Sequence, residues 1–173
     1  TKSDSANLDS VFENAIRGTG KQPVLALSAL VPEAYRDQPA YDDHPEVTAM
    51  LDYYAGLQEP WDGPALLTFC DGTQLGAQLD RNGLRPARFL ETKDGLVAFM
   101  SETGVVEVDD ADVVRKGRLG PGNCITINLA TGEFKTNLDV KKGLAAEAPY
   151  SEWMAAKAKK VPYRDEFAVE CEA

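Results

Sequence analysis

The sequence EPWDGP at residues 59–64, the segment ALLTFCDGTQLGAQL at 65–79 and the sequence DRNGLRPAR at 80–88 together decide the fold. The middle segment contains two apolar runs that flank Asp71-Gly72. A short Asp-Gly connection between apolar runs is typical of a β-hairpin. The turns on either side are dense in Pro, Gly, Asn and paired arginines, which favours a specified structure over a linker. We therefore predict an antiparallel hairpin bounded by two ordered turns.

Two more hairpins are predicted further along the chain. Residues 88–91 and 96–101 flank one turn, and residues 123–128 and 133–136 flank another. Residues 105–108 are expected to form a short strand. Residues 115–122, RKGRLGPG, are interpreted as a solvated basic turn before a strand. They lack the residue order of a phosphate-binding loop, and Pro121 removes a backbone N–H donor that such a loop needs.

Helical patterns precede the hairpins. Apolar residues between 8 and 16 recur on one face of a helix, which the polar residues 3–5 can cap and the glycines at 18 and 20 can end. Further helices are predicted to start at Pro23 and Pro45. From about residue 140 the chain is interpreted as helix or linker. Helices grouped before hairpins predict an α+β domain with an antiparallel sheet.

Composition limits the classes of function. The chain has 173 residues and 43% apolar residues, which suits one soluble domain. Its net charge of -10 argues against nucleic acid as a partner, because phosphates are bound largely by Lys and Arg. The apolar runs are too short to cross a membrane. The acidic cluster at 107–112 is interpreted as a solvated surface, with a docking face for a basic partner as the alternative.

The cysteines and the single histidine exclude several kinds of site. Cys70, Cys124 and Cys171 are widely spaced and odd in number, so neither a disulfide framework nor a zinc site is predicted. Cys70 and Cys124 lie in apolar strand patterns and are predicted to be buried thiols, which indicates a reducing compartment. His44 is predicted to lie on the surface. Because the one histidine is predicted in a surface loop, neither a Ser-His-Asp nor a Cys-His arrangement is predicted.

Ser3-Asp4-Ser5 has two compatible interpretations. As local structure it is a helix N-cap. A carboxylate at a helix start, where negative charge is stabilised, can also hold the ammonium group of a ligand. Thr1 invites comparison with N-terminal nucleophiles, whose own α-amine acts as base. It stands two residues before a helix cap rather than at the start of a strand, so we do not predict catalysis by Thr1.

The turn at 80–88 and the segment 100–104 also contain candidate residues. Asn82-Gly83 forms a tight turn whose arginines either pair with nearby carboxylates or face a pocket. In the second case Arg85 and Arg88 can clamp a carboxylate in bidentate fashion. Glu102 is expected at the end of a strand, paired with an arginine such as Arg85. Trp61, in the preceding turn, is predicted to be buried.

Taken together, these segments resemble the later part of the glutaminase domain of glutamate synthase. The resemblance runs in the family's order over about nine-tenths of the chain and leaves the last dozen residues unplaced. Residues 3–9 and the pair of segments 140–142 and 149–150 are more similar to the ferredoxin-dependent type. The matching stretches are Ser3 to Asp9, Leu30 to Tyr35, Glu59 to Pro64, Leu79 to Arg88, Ser101 to Val105, Lys116 to Gly122 and Pro149-Tyr150.

The resemblance implies a partial N-terminal-nucleophile hydrolase fold, an αββα sandwich. In this family an N-terminal Cys attacks the glutamine amide, and an upstream Asn-Gly pair forms the oxyanion hole. Both would lie before Thr1, as would the arginine for the substrate carboxylate, so no catalytic residue and no metal ligand is assigned here. Asp4 falls on the position that holds the α-ammonium of glutamine. The residues expected to support the pocket are Ser3, Ser5, Asn82, Gly83, Arg85 and Glu102.

The resemblance also sets expectations for the whole enzyme. Residues 1–137 would form the later part of the glutaminase domain, and 138–173 a helical connection toward the next domain. Ammonia released from glutamine would serve the reductive amination of 2-oxoglutarate, with FMN, an iron–sulfur cluster and ferredoxin, none of them bound by this chain. The compartment would be the bacterial cytoplasm or the plastid stroma. The isolated chain is expected to be inactive.

Two alternatives remain open from the sequence. One is another glutamine amidotransferase of the same class, of the phosphoribosyl-pyrophosphate or fructose-phosphate type. These share the Ser-Asp-Ser sequence and an Arg-Pro turn but are not expected to match residues 59–64 so fully. The other is a non-catalytic module derived from the domain. A Cys-initiated upstream segment with an Asn-Gly pair would favour the enzyme, and a native start at Thr1 would favour the module.

Overall fold

A computed structural model describes residues 3–159. Helices come first and antiparallel hairpins follow, as the sequence predicts. Within these residues the five helices are α1 (Asp4–Thr19), α2 (Pro23–Leu30), α3 (Pro45–Ala55), α4 (Asn137–Ala145) and α5 (Tyr150–Lys157). The seven strands are β1 (Leu66–Cys70), β2 (Gln74–Leu79), β3 (Arg88–Thr92), β4 (Val97–Met100), β5 (Val113–Arg118), β6 (Cys124–Asn128) and β7 (Phe134–Lys135). Short 3-10 turns occupy Pro39–Tyr41 and Asp110–Asp112.

Local chemistry explains where the first helices begin and end. The Ser3 hydroxyl caps α1 by accepting a hydrogen bond from the Ala6 N–H. Gly20 ends α1 in a left-handed conformation with φ of 67°. Proline occupies the first turn of both α2 and α3, where a missing N–H costs nothing. These boundaries agree with the predicted ones.

The strands form two antiparallel sheets. The first sheet has the order β1-β2-β6-β7, and the second has the order β4-β3-β5. Leu66 pairs with Leu79 in the first hairpin, and Arg88 lies between Met100 and Arg118 in the second sheet. All three predicted hairpins are therefore present, and the last two strands of the first sheet, β6 and β7, come from the third hairpin.

Side chains on the two faces of the first sheet create a layered core. On one face, the buried Cys124 packs with Met50 of α3, Val140 of α4 and other helical residues. On the other face, Ala77, Leu79 and Ile125 pack with side chains of the second sheet, including the partly buried Phe89 and Phe99. The described residues thus form a helical layer and two stacked sheets. This α+β arrangement agrees with the predicted partial αββα sandwich.

Helices α4 and α5 belong to the same packed core as α2 and α3. Val140 and Leu144 of α4 are 4% and 3% exposed. Tyr150 of α5 is buried against α3, where its hydroxyl lies 3.2 Å from that of Tyr54. Residues 137–157 therefore contribute to this domain. That a connection toward another domain follows stays a prediction.

Two sequence predictions about strands are wrong. Residues 105–108 form no strand, whereas β5, at 113–118, lies in the segment that was interpreted partly as a basic turn. Strand β5 is at an edge of the second sheet and four of its six residues are exposed, so charged side chains are tolerated there. The adjacent charges of Arg115 and Lys116 interrupt the apolar pattern by which a strand is recognised in a sequence.

Two predictions of burial also fail. Cys70 is exposed, because it is the last residue of the edge strand β1 and directly precedes the turn. Trp61 is only half-buried, although its ring packs near Leu30 and Val31. Cys124 is buried as predicted. Thr1 and Cys171 lie outside the described residues.

Candidate substrate-binding site

Asp4 stands at the exposed start of α1. The Ser3 hydroxyl makes the cap and lies 3.2 Å from the Ser5 hydroxyl. Within residues 3–159, no hydrogen bond or ion pair occupies the Asp4 carboxylate. One turn further on, Leu8 is 4% exposed and anchors the helix against Leu30. The helix start is therefore fixed by Ser3 and Leu8, while the Asp4 carboxylate stays open to solvent.

Asp80 builds the turn at 80–88. It is 1% exposed, and its carboxylate accepts three backbone hydrogen bonds. Oδ1 accepts from the Ala65 N–H at 3.1 Å, and Oδ2 accepts from the N–H groups of Asn82 at 3.1 Å and Leu84 at 3.5 Å. Backbone donors can satisfy a buried carboxylate without a cation. The sequence analysis did not single out Asp80, although an Asp that directly follows an apolar strand was an available signal.

The same turn is joined to residues 59–64. The Arg81 guanidinium donates to Asp62 Oδ2 at 2.8 Å, and Asn82 Nδ2 donates to Asp62 Oδ1 at 3.3 Å. The Asp62 carboxylate thereby accepts hydrogen bonds from the side chains of both Arg81 and Asn82. The two segments from which the sequence analysis started are neighbours in space, and this pairing matches the structural interpretation of the arginine-rich turn.

Two glycines let a second turn pack closely against the first. Gly83 has φ of 65°, and a Cβ there would lie 2.8 Å from Pro121. Gly122 has φ of 67°, and a Cβ there would lie 2.1 Å from Glu33 Cβ. The Gly122 N–H also donates to the Asp80 carbonyl at 2.9 Å. Three segments are thus stacked, around Asp80, Gly122 and Glu33, and only glycine fits at these two contacts.

The predicted pair between Glu102 and Arg85 is absent. Both side chains are exposed, and no ion pair joins them. Glu102 lies in the loop after β4, whereas Arg85 belongs to the turn before β3. Arg88 instead lines a groove of about 750 Å³ with Met100 and Thr103. The structure therefore brings Asn82 and Gly83 together with Asp62 and Pro121, but it does not bring Arg85 to Glu102.

The sequence analysis also missed a buried ion pair. Lys141 Nζ lies 2.5 Å from Glu33 Oε2, and the two side chains are 2% and 7% exposed. Asn123 Nδ2 and Asn137 Nδ2 donate to the same oxygen at 3.2 and 3.1 Å. A buried charge is stable only when it is paired and hydrogen-bonded, as it is here. The available signal was a lysine next to Val140 on the apolar face of α4.

Tyr41 and Cys124 border this ion pair. The Tyr41 hydroxyl accepts hydrogen bonds from Asn137 Nδ2 at 3.1 Å and Lys141 Nζ at 3.4 Å. Burial, followed by the nearby Glu33 carboxylate, raises the pKa of Tyr41. Burial also raises the pKa of the Cys124 thiol to about 11, although the Lys141 charge acts in the opposite direction. Cys124 is therefore a neutral thiol at neutral pH and not a nucleophile.

Within residues 3–159, no three or more His, Cys, Asp and Glu side chains are grouped so that they could hold a metal ion. No helix in this range combines the length and the hydrophobicity that a bilayer crossing requires.

Comparison with protein families finds one match over most of the chain. Residues 1–153 match the family described as class-II glutamine amidotransferases. This range contains every residue assigned to the candidate site, from Ser3 to Glu102.

The chain is also similar to curated proteins. It is 53% identical over 152 residues to ferredoxin-dependent glutamate synthase 2 of Synechocystis sp.. The aligned residues are 88% of this chain and 10% of the relative. It is 52% identical over 153 residues to the chloroplastic ferredoxin-dependent glutamate synthase of Oryza sativa, and 53% identical over 153 residues to ferredoxin-dependent glutamate synthase 1 of Arabidopsis thaliana. Each of these two alignments covers 88% of this chain and 9% of the relative. The chain thus spans about a tenth of the length of these relatives.

Proposed function

The chain belongs to the class-II glutamine amidotransferases, and from this premise we propose that it is part of the glutaminase domain of a ferredoxin-dependent glutamate synthase. The reaction of that domain is the addition of water to the side-chain amide of glutamine, which yields glutamate and ammonia. In the whole protein, the ammonia would be used in the reductive amination of 2-oxoglutarate. The similarity to cyanobacterial and chloroplastic relatives supports a reducing compartment, the bacterial cytoplasm or the plastid stroma.

Asp4 is proposed to bind the α-ammonium group of glutamine. The observation that carries this proposal is the free carboxylate at the fixed start of α1, where Ser3 makes the cap and Asp4 does not. An ionised carboxylate is favoured at a helix N-terminus by the dipole of the helix. A ligand ammonium group would gain a charge-assisted hydrogen bond there without displacing a partner within residues 3–159.

The other candidate residues are proposed to act through structure. Ser3 and Ser5 would hold the helix start in place, and Asn82 and Gly83 would support the pocket wall through Asp62 and Pro121. Arg85 and Glu102 are exposed and unpaired with each other, so we propose for them only a position near the pocket rim.

The attacking group is proposed to come from residues outside 3–159. Among the cysteines in this range, Cys124 is buried with a raised pKa, and Cys70 is exposed without a histidine beside it. His44, the only histidine of the chain, is paired with Glu46 at 3.3 Å. We therefore assign to residues 3–159 the binding of the substrate amine and no attacking atom.

An iron–sulfur cluster does not fit the described residues. An iron–sulfur cluster needs several cysteine thiolates, and a ferredoxin-dependent reductive amination also calls for FMN. Cys70 and Cys124 lie on different strands, and Cys124 is a neutral buried thiol. FMN, the cluster and the ferredoxin contact are thus proposed to belong to other parts of the polypeptide. The packing of α4 and α5 supports a connection toward those parts after Lys157 rather than after residue 137.

Replacing Asp4 tests the proposed function. In the intact protein, Asp4→Ala is expected to raise the KM for glutamine at least tenfold while kcat changes less, because the substrate loses an ionic contact of about 1.5–3 kcal/mol. The matched control is Asp9→Ala, since Asp9 is also exposed on α1. Steady-state ammonia release provides the measurement. An unchanged KM for Asp4→Ala would remove the assignment.

A further inference from the structure

A cavity of about 320 Å³ lies beside the buried ion pair and away from Asp4. Its walls come from the segment 33–41, the turn after β2, the turn before β6 and the start of α4. The residues that matter for its chemistry are Glu33, Tyr41, Arg81, Asn123 and Asn137. Its volume falls within the range of small-molecule pockets, which is about 300–1,000 Å³.

The Glu33 carboxylate has one oxygen available to a ligand. The contacts from Lys141, Asn123 and Asn137 all reach Oε2. Within residues 3–159, Oε1 has no corresponding hydrogen bond, although Glu33 is only 8% exposed and lines the cavity. Oε1 is not one of the buried side-chain atoms that lack a partner, so solvent reaches it and a ligand in the cavity can reach it too. The position of Oε1 therefore favours a ligand that donates N–H groups.

Arg81 supplies hydrogen-bond donors to the same cavity, whereas Glu33 Oε1 is an acceptor. One of its nitrogens donates to Asp62, and the guanidinium has further N–H donors. Its side chain is 42% exposed, so a ligand can reach it from solvent. Arg81 thus contributes donors for a carboxylate, on a cavity that also holds an acceptor for an ammonium group.

The charges of this cavity cancel in pairs. Glu33 is neutralised by Lys141, and Arg81 is neutralised by Asp62. A lone anion would make no contact with the Glu33 Oε1 acceptor, and a lone cation would make no contact with the Arg81 donors. A zwitterion satisfies both walls and adds no net charge.

We propose that this cavity is a second amino-acid site, in which a free α-amino acid places its ammonium group on Glu33 Oε1 and its carboxylate on Arg81. The site is separate from the proposed contact at Asp4, because Asp4 is not among the residues that line the cavity. It gives the protein a means of sensing the amino acid that it consumes or the one that it releases.

Binding of L-glutamate to the intact protein tests the proposal. The background is Asp4→Ala, which removes the proposed glutamine contact, and calorimetry measures affinity and stoichiometry. Arg81→Gln removes the cation, and Ala34→Leu fills the cavity from an exposed position of its wall. Each is expected to weaken L-glutamate binding at least tenfold. The matched control is Arg36→Gln, because Arg36 also donates one bond to an aspartate, Asp52, but does not line the cavity.

Ligand analogues complete the test. Glutarate lacks the ammonium group, and ammonium chloride lacks the carboxylate, so each is expected to bind at least tenfold more weakly than L-glutamate. Competition by L-glutamine shows whether substrate or product occupies the site more tightly, and either order supports the proposal. Equal binding of glutarate, or L-glutamate binding that Arg81→Gln and Ala34→Leu both leave unchanged, overturns it. These outcomes are independent of the glutamine KM of Asp4→Ala, which tests the proposed function alone.

Discussion

Lys141 is, together with Asp80, the most enclosed charged residue within residues 3–159. It is 1% exposed, and its ammonium group contacts Glu33 and the Tyr41 hydroxyl. Removing one partner of such a pair leaves a buried charge without compensation. Replacing both partners is often far less costly, because no unpaired charge then remains.

Lys141→Met is therefore expected to destabilise the protein by about 3–5 kcal/mol. The exposed neighbour Lys142 offers a matched control, and Lys142→Met is expected to stay within about 0.5 kcal/mol of the parent. The double variant Glu33→Gln/Lys141→Met should recover part of the loss. Urea unfolding followed by tryptophan fluorescence measures all of them. Equal losses for Lys141→Met and Lys142→Met would contradict the buried ion pair.

Local sequence patterns predicted the burial of one cysteine correctly and that of another wrongly, and they missed a buried ion pair. Cys124 was predicted to be buried because it opens an apolar run, and β6 is a central strand of the first sheet. Cys70 has a similar pattern but lies at the end of an edge strand, and position in a sheet is not visible in a local pattern. Glu33 and Lys141 are 108 positions apart in the sequence, so their pairing could not be predicted from either segment alone.

At the scale of elements, Gly122 is the glycine of residues 3–159 at which an added Cβ would meet the nearest atom. A Cβ at Gly122 would lie 2.1 Å from Glu33 Cβ, whereas a Cβ at Gly132 would meet no atom within 4 Å. Both glycines have positive φ, of 67° and 72°. A comparison of these two positions therefore separates the cost of contact from the cost of conformation.

Gly132→Ala is expected to cost about 1–2 kcal/mol, the usual penalty for a side chain in the left-handed region. Gly122→Ala should cost about 1–3 kcal/mol more, because the new methyl group forces Glu33 away from its partners. Thermal unfolding of both variants provides the measurement. If the two variants were equally stable, the stacking of the Gly122 turn on Glu33 would be refuted.

The start of α4 makes the stability of this helix depend on pH. Asp139 Oδ2 accepts hydrogen bonds from the Thr136 hydroxyl, at 2.5 Å, and from the Thr136 N–H, at 3.3 Å. These bonds, the hydroxyl first, lower the pKa of Asp139. A lowered pKa means that the stabilisation is complete above the unfolded-state pKa, near 4, and is lost as the pH falls through the lower folded-state value.

Asp139→Asn is thus expected to reduce the stability of the helix start at pH 7 by about 0.5–2 kcal/mol, the usual value of a capping interaction. The difference from the parent should shrink as the pH falls below 4. Amide hydrogen exchange of residues 137–141 measures the local effect, and Asp43→Asn, at another exposed aspartate, is the control. A difference that stayed constant from pH 7 to pH 3 would exclude this role of the carboxylate.

At the scale of the whole molecule, most of the fold could be predicted from the order of the helix and hairpin patterns. Helix patterns followed by hairpin patterns gave the α+β class, because both depend on local periodicity. Strand β5 could not be predicted in this way, since its charged residues are tolerated only at a sheet edge. The candidate site rests on Asp4, which directly follows the Ser3 cap and could be located from that local pattern. The cavity beside Glu33 needs four separate segments and is visible only in the folded chain.

The last prediction concerns catalysis by the isolated chain. Within residues 3–159 the buried Cys124 thiol has a raised pKa and no cysteine is hydrogen-bonded to His44, so we assign no attacking group to the described residues. We expect the isolated chain 1–173 to release no ammonia from glutamine above the buffer rate. Acetylation of the Thr1 amine should change nothing, because Thr1 is not proposed as a nucleophile. Ammonia release that acetylation abolishes would show instead that Thr1 attacks the amide and that the chain carries its own reactive centre.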